Sequence, residues 1–492
     1  MKTIASAVIL ACIVYVSFAN APHKMYGYSS LGPDSAWADA GMRLPLTFAI
    51  IAISFVLASL VGVLCTLSRA PWWQTAIAAT ARALRAIPFF WLAFVLQFVI
   101  LVHLGSLGAG RSPNTPLYAR WYLILPICLL AIAQLPAIVE YLCRRRLASP
   151  IERTSLPRDL FAIFADRLPA IITTAIVVEL FFALPGESPT LFSALSQSDI
   201  ALFSGIIVCS ALLVLVVRFV AGPRPYRAAV GGALSKRALP LFATAGVVLL
   251  LLFALGALLW DSANVIDNRY WTGDPIAPCF LNAARCGGHL LGSDEVGRDL
   301  LARMVVGGAM SLGFSIIALI GEFTFAAVMG ALVRYGGAPV GFVVACVLDA
   351  LSSLPALPYL VALSVIAYDI ERTSRYLEFG APIVAILIGI LFTPKLVRAA
   401  ADAKRGGLAN AVIDRAGRDW GTIILLAATL DFFGFGPAPP MPTWGNMLGN
   451  MQATVSSAWW VAVFPAVCIV VAVLLIDIAR RSALHPNSHD AP

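Results

Sequence analysis

The chain has 492 residues, of which 60% are hydrophobic and only 12% charged, and its mean hydropathy is +0.88. A soluble fold cannot hide that much apolar surface, so a water-soluble protein is excluded in favour of a membrane one. The formal net charge of +8 raises nucleic acid as a partner, but no basic face with interleaved aromatics occurs, and that class is excluded too.

Apolar runs long enough to cross hydrocarbon, about 20 residues each, recur along the whole sequence. In chain order they predict spans at Ile4–Phe18, Leu44–Leu67, Ile87–Leu107, Trp121–Leu142, Leu168–Leu184 and Ala201–Ala221. A second set follows at Ala238–Trp260, Met310–Val333, Val340–Tyr368, Ala381–Val397, Trp420–Phe435 and Trp459–Ile478. The expected fold class is therefore all-α, a polytopic membrane protein of about twelve helices. The first run, with Lys2 before it and Ala19-Asn20-Ala21 after it, fits either a cleavable signal peptide or an uncleaved span of the same orientation. The span is the better reading because others follow. With the N-terminus inside and the spans alternating, most of the 34 Lys and Arg fall on the inner side. Arg144, Arg145 and Arg146 then mark one inner loop, and Arg224, Arg227, Lys236 and Arg237 another. Arg480 and Arg481 place the C-terminus inside as well.

The two sets are related. Leu44–Ala52 matches Met310–Ala318 in character, at an offset of 310 − 44 = 266. Ala83-Leu84-Arg85-Ala86-Ile87-Pro88 matches Ala350-Leu351-Ser352-Ser353-Leu354-Pro355, at 355 − 88 = 267. Glu179-Leu180-Phe181 matches Asp431-Phe432-Phe433, at 431 − 179 = 252. Three similarities in one order argue for duplication, with domains at 1–222 and 223–492 and a boundary in the Gly-, Pro- and Arg-rich segment Gly222–Arg237. Two halves of equal orientation imply an axis along the membrane normal and a pathway between them.

Residues costly in lipid are the candidate functional ones. Glu179, Glu322, Asp349, Asp431 and Asp477 fall within or near apolar runs, and the repeat-related Glu179 and Asp431 are the candidates for a pathway. A structural hydrogen bond is the competing role for either alone. Pro88 and Pro355 each begin or kink a span. Asp294, Glu295, Arg298 and Asp299 form a dense charged cluster, and Gly292 and Gly297 beside them predict a defined turn. Trp444 and Asn446 lie in a Pro-rich loop and read as an interfacial anchor with a hydrogen-bonding partner. Seven of the nine cysteines sit in or at the ends of spans as small hydrophobes; Cys279 and Cys286 share a long outer loop and could close a disulfide or remain free thiols. No spacing suits a metal centre, and no cofactor is expected.

The stretch His289-Leu290-Leu291-Gly292-Ser293-Asp294-Glu295-Val296-Gly297-Arg298-Asp299 resembles the H-x-L-G-T-D-E-x-G-R-D segment of permease subunits in dipeptide/oligopeptide-type ABC importers. Phe432–Gly436 followed by Pro439–Leu448 resembles that family's S-F-L-G-L-G…P-P-x-P-S-W-G-x-M-L stretch, and Trp459–Pro465 its C-terminal helix. The first half is more weakly similar to the partner permease, through Ile87–Leu92 and the Glu179 segment ending Leu184-Pro185-Gly186. The resemblance implies both permeases fused in one chain, of the binding-protein-dependent permease fold, in a bacterial inner membrane. It places Gly292, Asp294, Glu295, Gly297, Arg298, Asp299, Trp444 and Asn446 at the outer mouth. It also implies separate ATPase subunits, an extracytoplasmic binding protein and peptides or similar small solutes as cargo. No G-x-x-x-x-G-K-[ST] loop occurs, so ATP hydrolysis is not expected of this chain. The family's coupling loop carries E-A-A-x-x-x-G. The expected inner loops Arg144–Arg167, with Arg158 and Asp159, and Asp402–Asp419, with Lys404, Arg405 and Gly406, hold at most a relic of it. Amphipathic coupling helices remain at Leu160–Arg167 or Leu408–Arg418. A permease-fold scaffold without ATPase coupling and a secondary transporter stand as alternatives.

Overall fold

The structure is a computed structural model that describes residues 33–67, 70–103, 123–147, 155–182, 184, 186, 188, 191–192, 194, 200–222, 275–281, 286, 289–373, 380–401, 408–437, 441–449, 451–455 and 457–484. The expected spans Ile4–Phe18 and Ala238–Trp260 lie outside these residues. The first helices are α1 (Pro33–Leu67), α2 (Pro71–Ala86), α3 (Phe89–His103), α4 (Ile124–Leu147), α5 (Leu156–Phe182) and α6 (Ile200–Ala221). They are followed by α7 (Leu300–Tyr335), α8 (Gly337–Ser353), α9 (Ala356–Thr373), α10 (Gly380–Ala401), α11 (Leu408–Phe432) and α12 (Trp459–Leu484). The chain is all-α and polytopic. Among the described residues, 7 helices are long and apolar enough to cross a membrane, or up to 9 with each bent pair taken as one span.

The order of elements repeats. A long helix, α1 or α7, leads into a bent pair, α2–α3 or α8–α9, and three more helices follow each. The bends are 91° and 95°. Both have the same cause, since the residue before a proline is driven out of the helical region. Ile87 sits at φ −75°, ψ 126° before Pro88, and Leu354 at φ −68°, ψ 131° before Pro355. Each proline carbonyl then accepts the next helix's first bond, from Leu92 N at 3.1 Å and from Tyr359 N at 3.4 Å.

Two expected spans are thereby corrected. Val340–Tyr368 is not one helix but the α8–α9 elbow. Ile87–Leu107 is only the second arm of a pair, because α2, with Trp72 and Trp73 exposed, is too polar to register as a span. Of Trp420–Phe435, residues 420–432 are the C-terminal part of α11, whose N-terminal half carries Asp414, Arg415, Arg418 and Asp419 and keeps it out of the long apolar set.

The chain divides into two compact units, Met1–Arg227 with Leu332–Ala362, and Ala228–Ala331 with Leu363–Pro492. In the first, α4 packs on α1, α2 and α5, and α6 packs on α5, α1 and α8. Its core includes Ile51, Phe90, Leu129, Ile138 and Ile172, all essentially inaccessible. Gln134 of α4 donates to Ser54 Oγ of α1 at 2.8 Å, a polar bond between these apolar helices. In the second unit α11 packs on α10 and α12. Exposed apolar stripes remain at helical spacing, as Ile53, Val56, Leu60 and Leu64 on α1 and Val467, Val471, Leu475 and Ile478 on α12. Such faces suit lipid.

Each elbow is held by an arginine. At the α2–α3 elbow Arg85 donates to Pro136 O of α4 at 3.1 Å and pairs with Glu140. The equivalent position at the α8–α9 elbow is Ser352, and here the cation comes from α6. Arg218 donates to Ser352 Oγ at 2.7 Å and Ser353 Oγ at 3.2 Å, and also to the carbonyls of Ala165 and Asp166 on α5. A cation at the C-terminal ends of α8 is also favoured by the helix dipole. Arg218→Ala is expected to lower stability by about 2 kcal/mol, the usual scale for hydrogen bonds to a charged group. Thermal unfolding of detergent-solubilised protein measures it; Arg218→Lys should recover only part, because one ammonium cannot span both serines and both carbonyls.

Candidate functional site

The charged cluster before α7 is a turn folded around one carboxylate. Asp294 Oδ1 accepts from the backbone N–H groups of Val296 at 3.0 Å and Arg298 at 2.9 Å. Its Oδ2 accepts from Arg298 Nε at 2.7 Å and lies 3.3 Å from Arg303 Nε. The Asp294 side chain is only 5% exposed, so two arginines and two amides replace the water it has lost. Asp299 is the N-cap of α7, its Oδ1 accepting from Ala302 N at 2.8 Å, while its Oδ2 lies 2.9 Å from His289 Nδ1. Glu295 is half-buried on the same turn.

Gly292 and Gly297 have φ of +82° and +86°, which only glycine adopts without strain. At Gly292 there is a second reason: a Cβ would come 2.7 Å from Ile276 O and 3.0 Å from Trp460 Nε1. The neighbouring Ser293 exchanges bonds with Ile276 and accepts from Trp460 Nε1 at 3.1 Å through its carbonyl. Trp460 in turn belongs to an apolar cluster with Leu300, Met447, Ala458 and Val461. Cys279 and Cys286, seven residues apart, are joined as a disulfide, and Cys279 N donates to Leu290 O at 3.3 Å.

Trp444 is buried against α7. Its indole Nε1 donates to Met304 O at 2.9 Å, its backbone N–H donates to Ser311 Oγ at 3.0 Å, and its ring covers Gly308. Asn446 and Thr443 form a reciprocal cap: Thr443 N donates to Asn446 Oδ1 at 2.9 Å and Asn446 N to Thr443 Oγ1 at 3.1 Å. Trp444 thus packs into the second unit rather than standing at a lipid interface as expected.

The repeat-related acids sit in like places. Glu179 and Asp431 lie in the last turns of α5 and α11, and each is followed by a glycine, Gly186 or Gly436, on which a Cβ would collide with the carboxylate. Glu179 accepts from Thr47 Oγ1 of α1 and from Ser188 N at 2.9 Å. Asp431 accepts from the Thr443 hydroxyl, and it lines a cavity of about 290 Å³ with Ser311, Gly313, Phe314, Ala428 and Trp444. Sequence alone marks Asp431 as costly in lipid but does not reveal this cavity. Pro88 and Pro355 are both buried at the elbows.

The expected coupling loops are mostly helix. α4 continues to Leu147 and α5 begins at Leu156, with Pro157 suited to its first turn. Arg158 is exposed, whereas Asp159 is buried and accepts from Tyr141 OH. α10 runs to Ala401 and α11 starts at Leu408, so Lys404, Arg405 and Gly406 lie outside the described residues. Leu160–Arg167 and Leu408–Arg418 are continuous with α5 and α11 rather than separate amphipathic helices, because nothing in either breaks the helix. The charges of α11 are engaged: Arg415 with Asp419, Arg418 with Asp414, and Arg480 of α12 with Asp414. Asp477 holds Arg480 at 2.6 Å and Arg481 at 2.8 Å. Glu322 is fully buried on α7 beside Asp419, and Asp349 accepts from Ser352 and Ser353 through its carbonyl.

Asp294→Ala is expected to destabilise the protein by about 3–5 kcal/mol, since it leaves Arg298 and Arg303 without their shared counter-charge. The loss should be visible in thermal unfolding. The double substitution with Arg298→Ala should recover part of it, which distinguishes an ion-paired turn from a merely packed one.

No family model matches the chain. It is 29% identical over 221 residues, 40% of this chain and 72% of the relative, to a dipeptide transport system permease protein of Alkalihalophilus pseudofirmus. It is 28% identical over 222 residues, 41% of this chain and 73% of the relative, to a di/tripeptide transport system permease protein of Pseudomonas aeruginosa. A glutathione transport system permease protein of Pectobacterium atrosepticum is 25% identical over 278 residues, 49% of this chain and 86% of the relative. The chain is related to the ABC transport permeases of the dipeptide and glutathione type, as the Gly292–Asp299 and Trp444–Asn446 motifs imply, and each relationship covers less than half of it.

Proposed function

We propose that this chain is the membrane permease of a binding-protein-dependent ABC importer, moving peptides or similar small solutes inward by alternating access. Its role is conduit and gate, with ATP hydrolysis supplied by separate subunits and cargo delivered by an extracytoplasmic binding protein. The similarity to dipeptide and di/tripeptide transport permeases is the observation that carries this reading. The ordered Asp294 turn and the seating of Trp444 on α7 fit it, because the motif residues are used to hold a helix rather than to react with a substrate.

We read the chain further as two permease-like domains, 1–222 and 223–492, in one polypeptide. The one-to-one order of α1–α6 and α7–α12, with an X-Pro elbow in each, supports that division. The membrane in question is a bacterial inner membrane, and the turn before α7 faces the side from which cargo arrives.

A second reading, a permease-fold scaffold without ATPase coupling, is favoured by one observation. The segments between α4 and α5 and between α10 and α11 leave little chain for a separate coupling helix, and the charges on α11 are already paired within the protein. Purification from native membranes separates the two. Nucleotide-binding subunits should co-purify, and crosslinks from residues 148–155 and 402–407 should reach them. Uptake of labelled dipeptides should depend on ATP in reconstituted vesicles. Recovery of the chain with no ATPase at all would favour the scaffold.

A further inference from the structure

The cavity beside Asp431 has an origin that can be read from the repeat. In the first unit the equivalent acid, Glu179, is closed off by the hydroxyl of Thr47 on α1. The offset of 266 that relates α1 to α7 carries position 47 to 47 + 266 = 313, which is Gly313. Gly313 lines the cavity in the second unit. The side chain that fills the space and donates to the acid in one repeat is therefore missing in the other.

What remains is an apolar chamber with one carboxylate. Met310, Phe314, Ile317, Ile424, Ala427 and Ile469 supply apolar wall. Asp431 is 6% exposed, and among the described residues it accepts from the Thr443 hydroxyl but joins no ion pair. That hydroxyl is also committed to Asn446 N as an acceptor. A carboxylate offers about four acceptor sites, so most of its capacity is unused. A buried carboxylate without a cation is costly, and a ligand cation that brought its own N–H donors would relieve that cost. Size allows it: a dry apolar cavity of about 150 Å³ already holds benzene, and this one is about 290 Å³.

We propose that the cavity between α7, α10 and α11 is a binding site for a small apolar molecule ending in an ammonium group, with Asp431 as its anionic contact and Gly313 as the position that keeps it open. The site needs no transport cycle to exist, so it stands or falls separately from the permease reading.

The test is equilibrium binding of benzylammonium to the purified full chain in lipid nanodiscs, with benzyl alcohol as the neutral counterpart of the same shape. Benzylammonium should bind saturably and about tenfold or more tighter than the alcohol. Gly313→Thr, which restores the side chain found at Thr47, should weaken benzylammonium binding by about tenfold or more. Asp431→Asn should abolish the preference for the cation, and it carries the same test if the threonine unsettles the fold. Absence of saturable binding, equal binding of amine and alcohol, or wild-type affinity in both folded variants would each overturn the proposal.

Discussion

The Asp294 carboxylate ties the second unit's longest helix to the chain that precedes it. α7 has 36 residues, about 54 Å at about 1.5 Å per residue, well beyond the hydrocarbon core of a bilayer. A helix of that length cannot lie wholly within the hydrocarbon without tilting strongly. Asp294 gathers Arg298 and Arg303, one before the helix and one inside its first turn, and Asp299 caps the helix. The start of α7 is fixed by these bonds. Everything seated on its first three turns, Trp444 over Gly308 and Ser311 against the Trp444 amide, inherits that register. Arg303 alone on an apolar helix would be costly; beside Asp294 it becomes part of the anchor.

The same physical demands are met twice with different residues. Each repeat needs its helix to turn sharply after the second element, and an X-Pro pair does this at Ile87-Pro88 and Leu354-Pro355. Each needs a cation on that elbow, which the first takes from the elbow itself through Arg85 and the second borrows from α6 through Arg218. Each places an acid in the last turn of its fifth helix, but Glu179 is answered by Thr47 whereas Asp431 meets a cavity. The order of helices and elbows repeats more strictly than the side chains that satisfy it.

Much of this was legible beforehand, and the misses have physical causes. The all-α membrane class follows from hydropathy alone, because nothing else accommodates a chain 60% hydrophobic. Gly292 and Gly297 signalled a turn correctly, since a left-handed backbone advertises itself through glycine. Pro355 marks a kink inside Val340–Tyr368, but the 95° sharpness of the elbow is not legible, because hydropathy averages across a single proline. α2 was missed because its exposed Trp72 and Trp73 and its polar spacing dilute the apolar signal. The extension of α4 to Leu147 is hidden by charges that read as loop in one dimension, and the helix expected at Leu408–Arg418 runs on without a break into α11. In three dimensions Asp414 faces Arg418 and Arg480, and a paired charge no longer argues against a helix. Asp431 could be singled out by cost, but its cavity depends on what sits across from it on α7, and an acid's neighbour is not visible from its own segment.

The paired charges on α11 and α12 also bear on how force could enter the protein. A partner that drives a permease must grip a rigid lever. Here Arg480 joins α12 to α11 through Asp414, and Asp477 holds Arg480 and Arg481 on their own helix. α11 continues without a break from Leu408 to Asp431, so a displacement applied at its first turn would be carried along one helix to the acid that lines the cavity. A buried ion pair links α11 and α12. Short connections do not by themselves forbid coupling. The first turns of α5 and α11 carry the exposed Arg158 and Leu408.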